Sequence, residues 1–534
     1  MQQPIPIPTP PAEEGSSYSR PSLGQAAADA IPLLVDDTYH VFHLTTPLFT
    51  RHHPPRLRST WSRLRSTDLV HWACDPEPVL RPSDDPSAPD ADGIWTGAAV
   101  IGPDGNMNIF YTGYNLQQGG KQVILRTVAN DRHGTAFSGP TSQISIKGDD
   151  DALVVFEDID FRDAFVFFNN QSSEFWMLVA TRLRKGPNWT RGCIALLTSP
   201  DLDEWTVAPE PLYSPNDMFC PECPELFQLP NGKWYLVYSR FAAPNPGTVY
   251  RMADTPRGPF RIPRDGSHGR LDGRRWYAAK SCPKAGEPEK RIFFGWIGDR
   301  VDDEGKWLWG GDLGVPREVW ADENGYLQVD SGVEVRRLFL ETSTSLSPNE
   351  IPEILVMSAT GSTQTIFPEL GLAATQNDLL IEFNIHACDS HGFGILLHAD
   401  DDLRGHRLHF APYMGQVYSI TLFIDLPSLD DFWADQYNLH VPRPVDGPEM
   451  VRHENVKINS AIRVFLRGQL VEVFCGGRSI SFRLPEPKVR GVYNETITST
   501  ASQSLHRLGW YVEDGTIELR RVLVRQGGQV GKVR

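Results

Sequence analysis

The chain has 534 residues, a formal net charge of −16 and 40% hydrophobic residues, enough length for two or three domains with ample core. An acidic balance without a long Lys/Arg cluster argues against nucleic acid or an anionic membrane as partner. No apolar run approaches the roughly 20 residues of a transmembrane helix, and seven scattered cysteines do not make a disulfide framework.

Residues 1–22 are rich in Pro, Ser and Glu and read as a disordered tail. The N-terminus lacks the charged and apolar regions of a secretory signal, which places the protein in the cytoplasm unless the chain start is incomplete. Asn170-Gln171-Ser172, Asn188-Trp189-Thr190 and Asn494-Glu495-Thr496 fit the glycosylation pattern and matter only for a secreted protein.

From residue 23 to 340, aromatic and β-branched runs alternate with Gly, Pro, Asn and Asp turns without helical periodicity, so this stretch is all-β. A repeat organises it. Strands marked by Tyr39, Ile109, Trp176, Tyr235 and Ile292 recur at separations of 70, 67, 59 and 57 residues. Ser66-Thr67-Asp68-Leu69-Val70-His71-Trp72 is echoed in spacing by Ser199-Pro200-Asp201-Leu202-Asp203-Glu204-Trp205. Five units of several strands predict a five-bladed β-propeller, with an irregular sandwich array as the alternative.

The hairpin partner of each marker strand opens with Asp29-Ala30-Ile31-Pro32, Trp95-Thr96-Gly97, Arg162-Asp163-Ala164, Glu222-Cys223-Pro224 or Tyr277-Ala278-Ala279. Equivalent positions of a propeller converge on its channel, so Asp29, Trp95, Asp163, Glu222 and Tyr277 are expected around one funnel. Glu222 is wedged between Pro221 and Pro224, on backbone stiffened by fixed φ, ahead of an Asn231-Gly232 hairpin turn. Carboxylates supply acid, base or nucleophile and aromatic rings stack on sugars, so this set suits a sugar-hydrolysing pocket. Cys220 and Cys223 form a Cys-x-x-Cys pair, but no second pair completes a zinc site.

Phe161-Arg162-Asp163, Glu222-Cys223-Pro224 and the Trp61 to Trp72 stretch together resemble glycoside hydrolase family 32, the invertases, inulinases, levanases and fructosyltransferases. Trp309-Gly310-Gly311, Pro316-Arg317-Glu318 and Ile462 to Phe474 extend the resemblance to about residues 25–527. It implies hydrolysis of a β-fructofuranoside with retention: Asp29 as nucleophile, Glu222 as acid and base, Asp163 stabilising the transition state, and Arg162 orienting Asp163. Retention needs the two carboxyls about 5–5.5 Å apart. Trp61, Trp95 and Tyr277 are the sugar platforms this reading assigns. No cofactor or metal is implied, because carboxylates suffice.

The sequence departs from the family around Asp29. Where the family has Trp-Met-Asn-Asp-Pro-Asn-Gly, this chain has Ala26-Ala27-Ala28-Asp29-Ala30-Ile31-Pro32, and a Tyr-Gln pair becomes His43-Leu44. A different furanoside, fructosyl transfer, or a propeller that only binds carbohydrate are therefore the alternatives. From 341 to 534, short alternating strands predict a β-sandwich interrupted by a loop insertion from Pro427 to Glu454, with Trp433 and Tyr437 in it.

Overall fold

In the computed structural model the described residues are 18–21, 24–47, 58–137, 141–147, 155–241, 246–301, 306–342, 344–345, 353–366, 378–399, 405–429, 444–485 and 507–526. They form a five-bladed β-propeller followed by a β-sandwich. Blade I runs Ala27–Val35, Thr38–Thr45, Thr60–Ser66 and Ala73–Cys74; blade II runs Gly93–Ile101, Met107–Tyr114, Gln122–Val128 and Ser142–Gln143. Blade III is Phe156–Asn169, Glu174–Leu183, Gly192–Ser199 and Glu204–Val207, and blade IV is Glu222–Gln228, Trp234–Arg240 and Gly247–Ala253. Blade V is Trp276–Lys284, Glu287–Val301, Arg317–Ala321 and Leu327–Ser331.

Ring closure falls to the strand Lys306–Leu313. It pairs with Glu287–Val301 of blade V on one side and, through Gly311 opposite Ala27, with the first strand of blade I on the other. Gly311 is required there, because a Cβ would meet the Ile297 carbonyl oxygen at 2.1 Å.

The echoed Ser-x-Asp-Leu…Trp motif is a turn leaving the third strand of blades I and III. Ser66 Oγ accepts from the Leu69 amide at 2.9 Å, and Ser199 Oγ accepts from the Leu202 amide at 2.9 Å. Both leucines are left-handed, with φ of 64° and 75°. The turn drives Trp72 and Trp205 into the core. Each such ring removes on the order of 200 Å² from water, worth ~5 kcal/mol before entropy is counted.

Blades are also cross-linked by charge. Glu225 of blade IV, fully buried, accepts from the Ser281 amide at 2.8 Å and from Arg291 at 2.9 Å, both on blade V.

The helix Val333–Thr342 leads to the C-terminal sheet. There the long strand Arg507–Gln526 pairs with Ile354–Ile366, Leu379–Cys388 and Gly392–Ala399. Arg317, without exposed surface, joins propeller to sandwich: it donates to Asp272 at 2.7 Å and to Ser481 at 2.6 Å, and lies 3.7 Å above the Trp276 ring.

Two expectations change. Within the stretch read as a disordered tail, Tyr18 is buried and donates to the Gly314 carbonyl at 2.8 Å, while Arg20 pairs with Asp299 at 2.6 Å and Asp312 at 2.5 Å. Composition could not reveal partners nearly 300 residues away. Of the predicted loop insertion, Pro444–Lys457 is instead a strand on Val417–Leu429. Register shifts at Pro427 and Pro448 let a proline-bearing hairpin continue. Trp433, Tyr437 and the Asn494 triplet lie outside the described residues.

Candidate active site

Every inner blade strand carries an irregularity at the same register. The pairings break between Ala28 and Ile31, Trp95 and Gly97, Arg162 and Phe165, Glu222 and Glu225, and Tyr277 and Lys280. Four of these bulges hold a non-glycine residue at positive φ: Asp29 at 36°, Asp163 at 58°, Cys223 at 50° and Ala278 at 49°. A bulge bends its strand and re-aims its side chains, and repeated strain of this kind marks functional sites.

The predicted equivalence is therefore corrected by one residue. Trp95, Glu222 and Tyr277 share their register with Ala28 and Arg162, whereas Asp29 and Asp163 sit within the bulge, like Cys223. Counting along a repeat does not see an inserted bulge residue.

The bulges bring three carboxylates into one network. Asp163 Oδ2 accepts from the Cys223 amide at 2.9 Å, and the Asp163 amide donates to Thr112 Oγ1 at 3.0 Å. Cys223 Sγ lies 4.0 Å from Asp29 Oδ2, and Asp29 Oδ1 accepts from Trp296 Nε1 at 2.9 Å. Glu222, adjacent in sequence to Cys223, accepts from Arg162 at 2.9 Å on Oε1 and from the Tyr277 hydroxyl at 2.6 Å on Oε2.

Burial governs the electrostatics. Asp29 is pushed up to about 7, first by desolvation and then by the negative charge of Asp163, against the lowering effect of the Trp296 hydrogen bond. Glu222 is also raised, again mainly by desolvation, with Arg162 opposing and Asp163 reinforcing it. A carboxyl held protonated beyond its ordinary range is what a general acid requires.

Arg162 does not serve chiefly Asp163. Its Nε lies 3.8 Å from Asp163 Oδ2, while its stronger bonds go to Glu222 and, at 2.7 Å, to Asp160. Trp61 is corrected as a platform: it has no exposed surface, packs on Phe42 and Tyr111, and donates to the Trp95 carbonyl at 3.1 Å. Tyr277 is likewise buried, with its hydroxyl committed to Glu222 and its ring set edge-on to Trp296 at 5.7 Å. Trp95 keeps partial exposure and stacks on Tyr114 at 4.7 Å.

Lys280 and Trp296 were missed. Lys280 Nζ reaches from blade V to the Gly97 carbonyl of blade II at 2.7 Å, 5.8 Å from the Phe165 ring of blade III, and its charge favours ionised Asp29. Its only sequence signal was its place three residues after Tyr277. His43, substituting for a family tyrosine, is buried and lowered to about 4, with Nδ1 3.2 Å from Thr45 Oγ1. Among the described residues no group of three or more His, Cys, Asp or Glu side chains is placed to hold a metal.

Residues 30–330 match the Glycosyl hydrolases family 32 N-terminal domain. The chain belongs to glycosyl hydrolase family 32. Among curated family 32 relatives, beta-fructofuranosidase, insoluble isoenzyme CWINV1, of Arabidopsis thaliana is 26% identical over 387 residues, covering 66% of this chain and 60% of that protein. The chain thus spans about 60% of the length of that relative. The solved fructan 1-exohydrolase IIa of Cichorium intybus superposes with a TM-score of 0.66 at 18% identity, covering 97% of this chain and 98% of that one. The exo-inulinase of Aspergillus awamori gives a TM-score of 0.66 at 16% identity, covering 96% and 97%. At these identities the likeness shows the fold.

Proposed function

We propose that the protein is a retaining glycosidase that cleaves β-fructofuranosides by double displacement. One observation carries this reading: bulges on three blades deliver partly exposed Asp29 and buried Asp163 and Glu222 into a single hydrogen-bonded network. Membership of family 32, with relatives named as beta-fructofuranosidase and fructan hydrolases, supports the substrate class.

In the first step a carboxylate oxygen of Asp29 attacks the anomeric carbon while Glu222 gives its proton to the leaving oxygen, and the glycosidic bond breaks. Trp296 Nε1 donates to Asp29 Oδ1 and the Cys223 thiol lies 4.0 Å from Oδ2, so the carboxylate is oriented before it attacks. The resulting ester is then cleaved by a water that Glu222 deprotonates, which restores both carboxyls. Asp163, anchored on the Cys223 amide, offers charge to the oxocarbenium-like transition state and holds sugar hydroxyls. Arg162 and Tyr277 fix both oxygens of the acid, so its orientation is set before substrate arrives.

A second reading keeps this chemistry and changes the sugar. Ala28 and Ile31, next to Asp29 in the chain, are buried apolar residues where the family resemblance leads one to expect amides, and the loss of those two amides favours a furanoside with fewer hydroxyls on this side.

The test is sugar release from sucrose, inulin and levan by wild type, Glu222→Gln and Asp29→Asn. Fructose release by wild type, lost by orders of magnitude in both variants, is expected. Release from another furanoside alone would keep the mechanism and overturn the substrate. Silence on every sugar would leave a carbohydrate-binding propeller.

A further inference from the structure

We propose that Trp189 is the platform on which the leaving-group sugar stacks. The inference deepens the glycosidase reading and rests on it. The group that protonates the leaving oxygen must face the leaving sugar, so the second sugar ring belongs on the Glu222 side of the pocket.

Among the described residues, the segment that leads into Glu222 is packed against an aromatic face open to solvent. Trp189, 43% exposed, lies on the turn between the second and third strands of blade III and meets Phe219 at a centroid distance of 5.6 Å. Phe219 stands three residues before Glu222. The start of the third strand is pressed on this segment: the Gly192 amide donates to the Met218 carbonyl at 3.0 Å, and a Cβ on Gly192 would meet the Phe219 carbonyl oxygen at 2.6 Å.

The turn is fixed to the acid by a continuous ionic chain. From Glu222 it runs to Arg162, then to Asp160 at 2.7 Å, then to Arg182 at 3.1 Å, and Arg182 donates to the Asn188 carbonyl at 3.0 Å. Arg182 also lies 3.9 Å above the Phe219 ring, and Arg191 holds Asn188 Oδ1 at 3.0 Å. The intermediate residues Arg162, Asp160 and Arg182 are all buried. An exposed loop tryptophan is thereby given a defined position relative to the acid. A large aromatic face held in water by such a framework matches the apolar C–H face of a pyranose or furanose ring.

Trp189 touches the sugar beyond the scissile bond, so it sets specificity and takes no proton. The test compares 1-kestose, sucrose and methyl β-fructofuranoside, whose leaving group is methanol, in wild type, Trp189→Ala and Trp189→Phe. The expected result is a loss of about three- to tenfold in kcat/KM for 1-kestose and sucrose in Trp189→Ala. It should be carried by KM, largely restored in Trp189→Phe, and absent for the methyl fructoside. An equal loss on all three substrates, or no loss on any, overturns the platform.

If wild type turns over no fructoside, the fructosidase reading fails by itself. Calorimetric binding of 1-kestose then decides the platform: weakening in Trp189→Ala supports it, and unchanged or absent binding overturns it.

Discussion

The Tyr277 hydroxyl donates to Glu222 Oε2 at 2.6 Å from a ring that is almost fully buried. A bond to the ionised form lowers the carboxyl pKa, and here it opposes the raising effect of burial. Tyr277→Phe is therefore expected to raise Glu222 further. The alkaline limb of the kcat/KM profile should move up by roughly half to one pH unit. Turnover should fall about tenfold as one oxygen of the acid loses its guide. A pH–rate profile with an unmoved alkaline limb would refute the coupling.

Asp29 and its charged neighbours predict two opposite shifts. Lys280 favours ionised Asp29 and Asp163 disfavours it, and the nucleophile must be ionised to attack. Lys280→Met should move the acidic limb to higher pH, and Asp163→Asn should move it lower. Both variants lose rate, so the informative quantity is the position of the limb in the kcat/KM profile of the free enzyme. Shifts of the same sign would contradict the electrostatic account.

Asp29 also links stability to pH. Its pKa is raised on folding from 3.8 to about 7, so its contribution to stability is complete below pH 3.8 and is lost as pH rises through about 7. Asp29→Asn cannot ionise and retains an oxygen for the Trp296 N–H. Relative to wild type it should gain on the order of 2–4 kcal/mol between pH 4 and pH 8. Urea unfolding at those two pH values measures it. A difference that does not grow with pH would mean that Asp29 is solvated.

Arg20 predicts the reverse dependence. Asp312, held between Arg20 and Arg483, lies well below the usual carboxylate range because those guanidiniums outweigh its burial. A depressed carboxylate stabilises the fold above its unfolded pKa and loses that contribution as pH falls through its folded value. Arg20→Met removes one of the two cations beside Asp299 and Asp312. It should cost ~3 kcal/mol at neutral pH and raise the pH of acid unfolding. Melting temperatures from pH 3 to pH 7 would reveal either effect.

Much of the architecture was legible in the chain because strands and turns obey local rules. The period of the aromatic strands, the Ser-x-Asp-Leu…Trp turns and the prolines around Glu222 fix blade number and hairpin order through backbone preferences of a few residues each. The acids could be singled out because they recur beside such strands. What those local rules omit is register. The bulges that separate Asp29 and Asp163 by one step from Glu222 and Tyr277 exist only once each strand has a partner.

Burial and long-range charge were decided by tertiary structure alone. Trp61 reads as a sugar platform until blades I and II close over it, and Tyr18 and Arg20 read as tail until Gly314, Asp299 and Asp312 arrive from the far end of the propeller. Lys280 is an ordinary lysine in the chain and a cation across the channel in the fold. Sequence carries the chemistry of each side chain. Which charges face each other without water between them depends on contacts between residues hundreds of positions apart, and that is what sets the pKa values on which the proposed reaction turns.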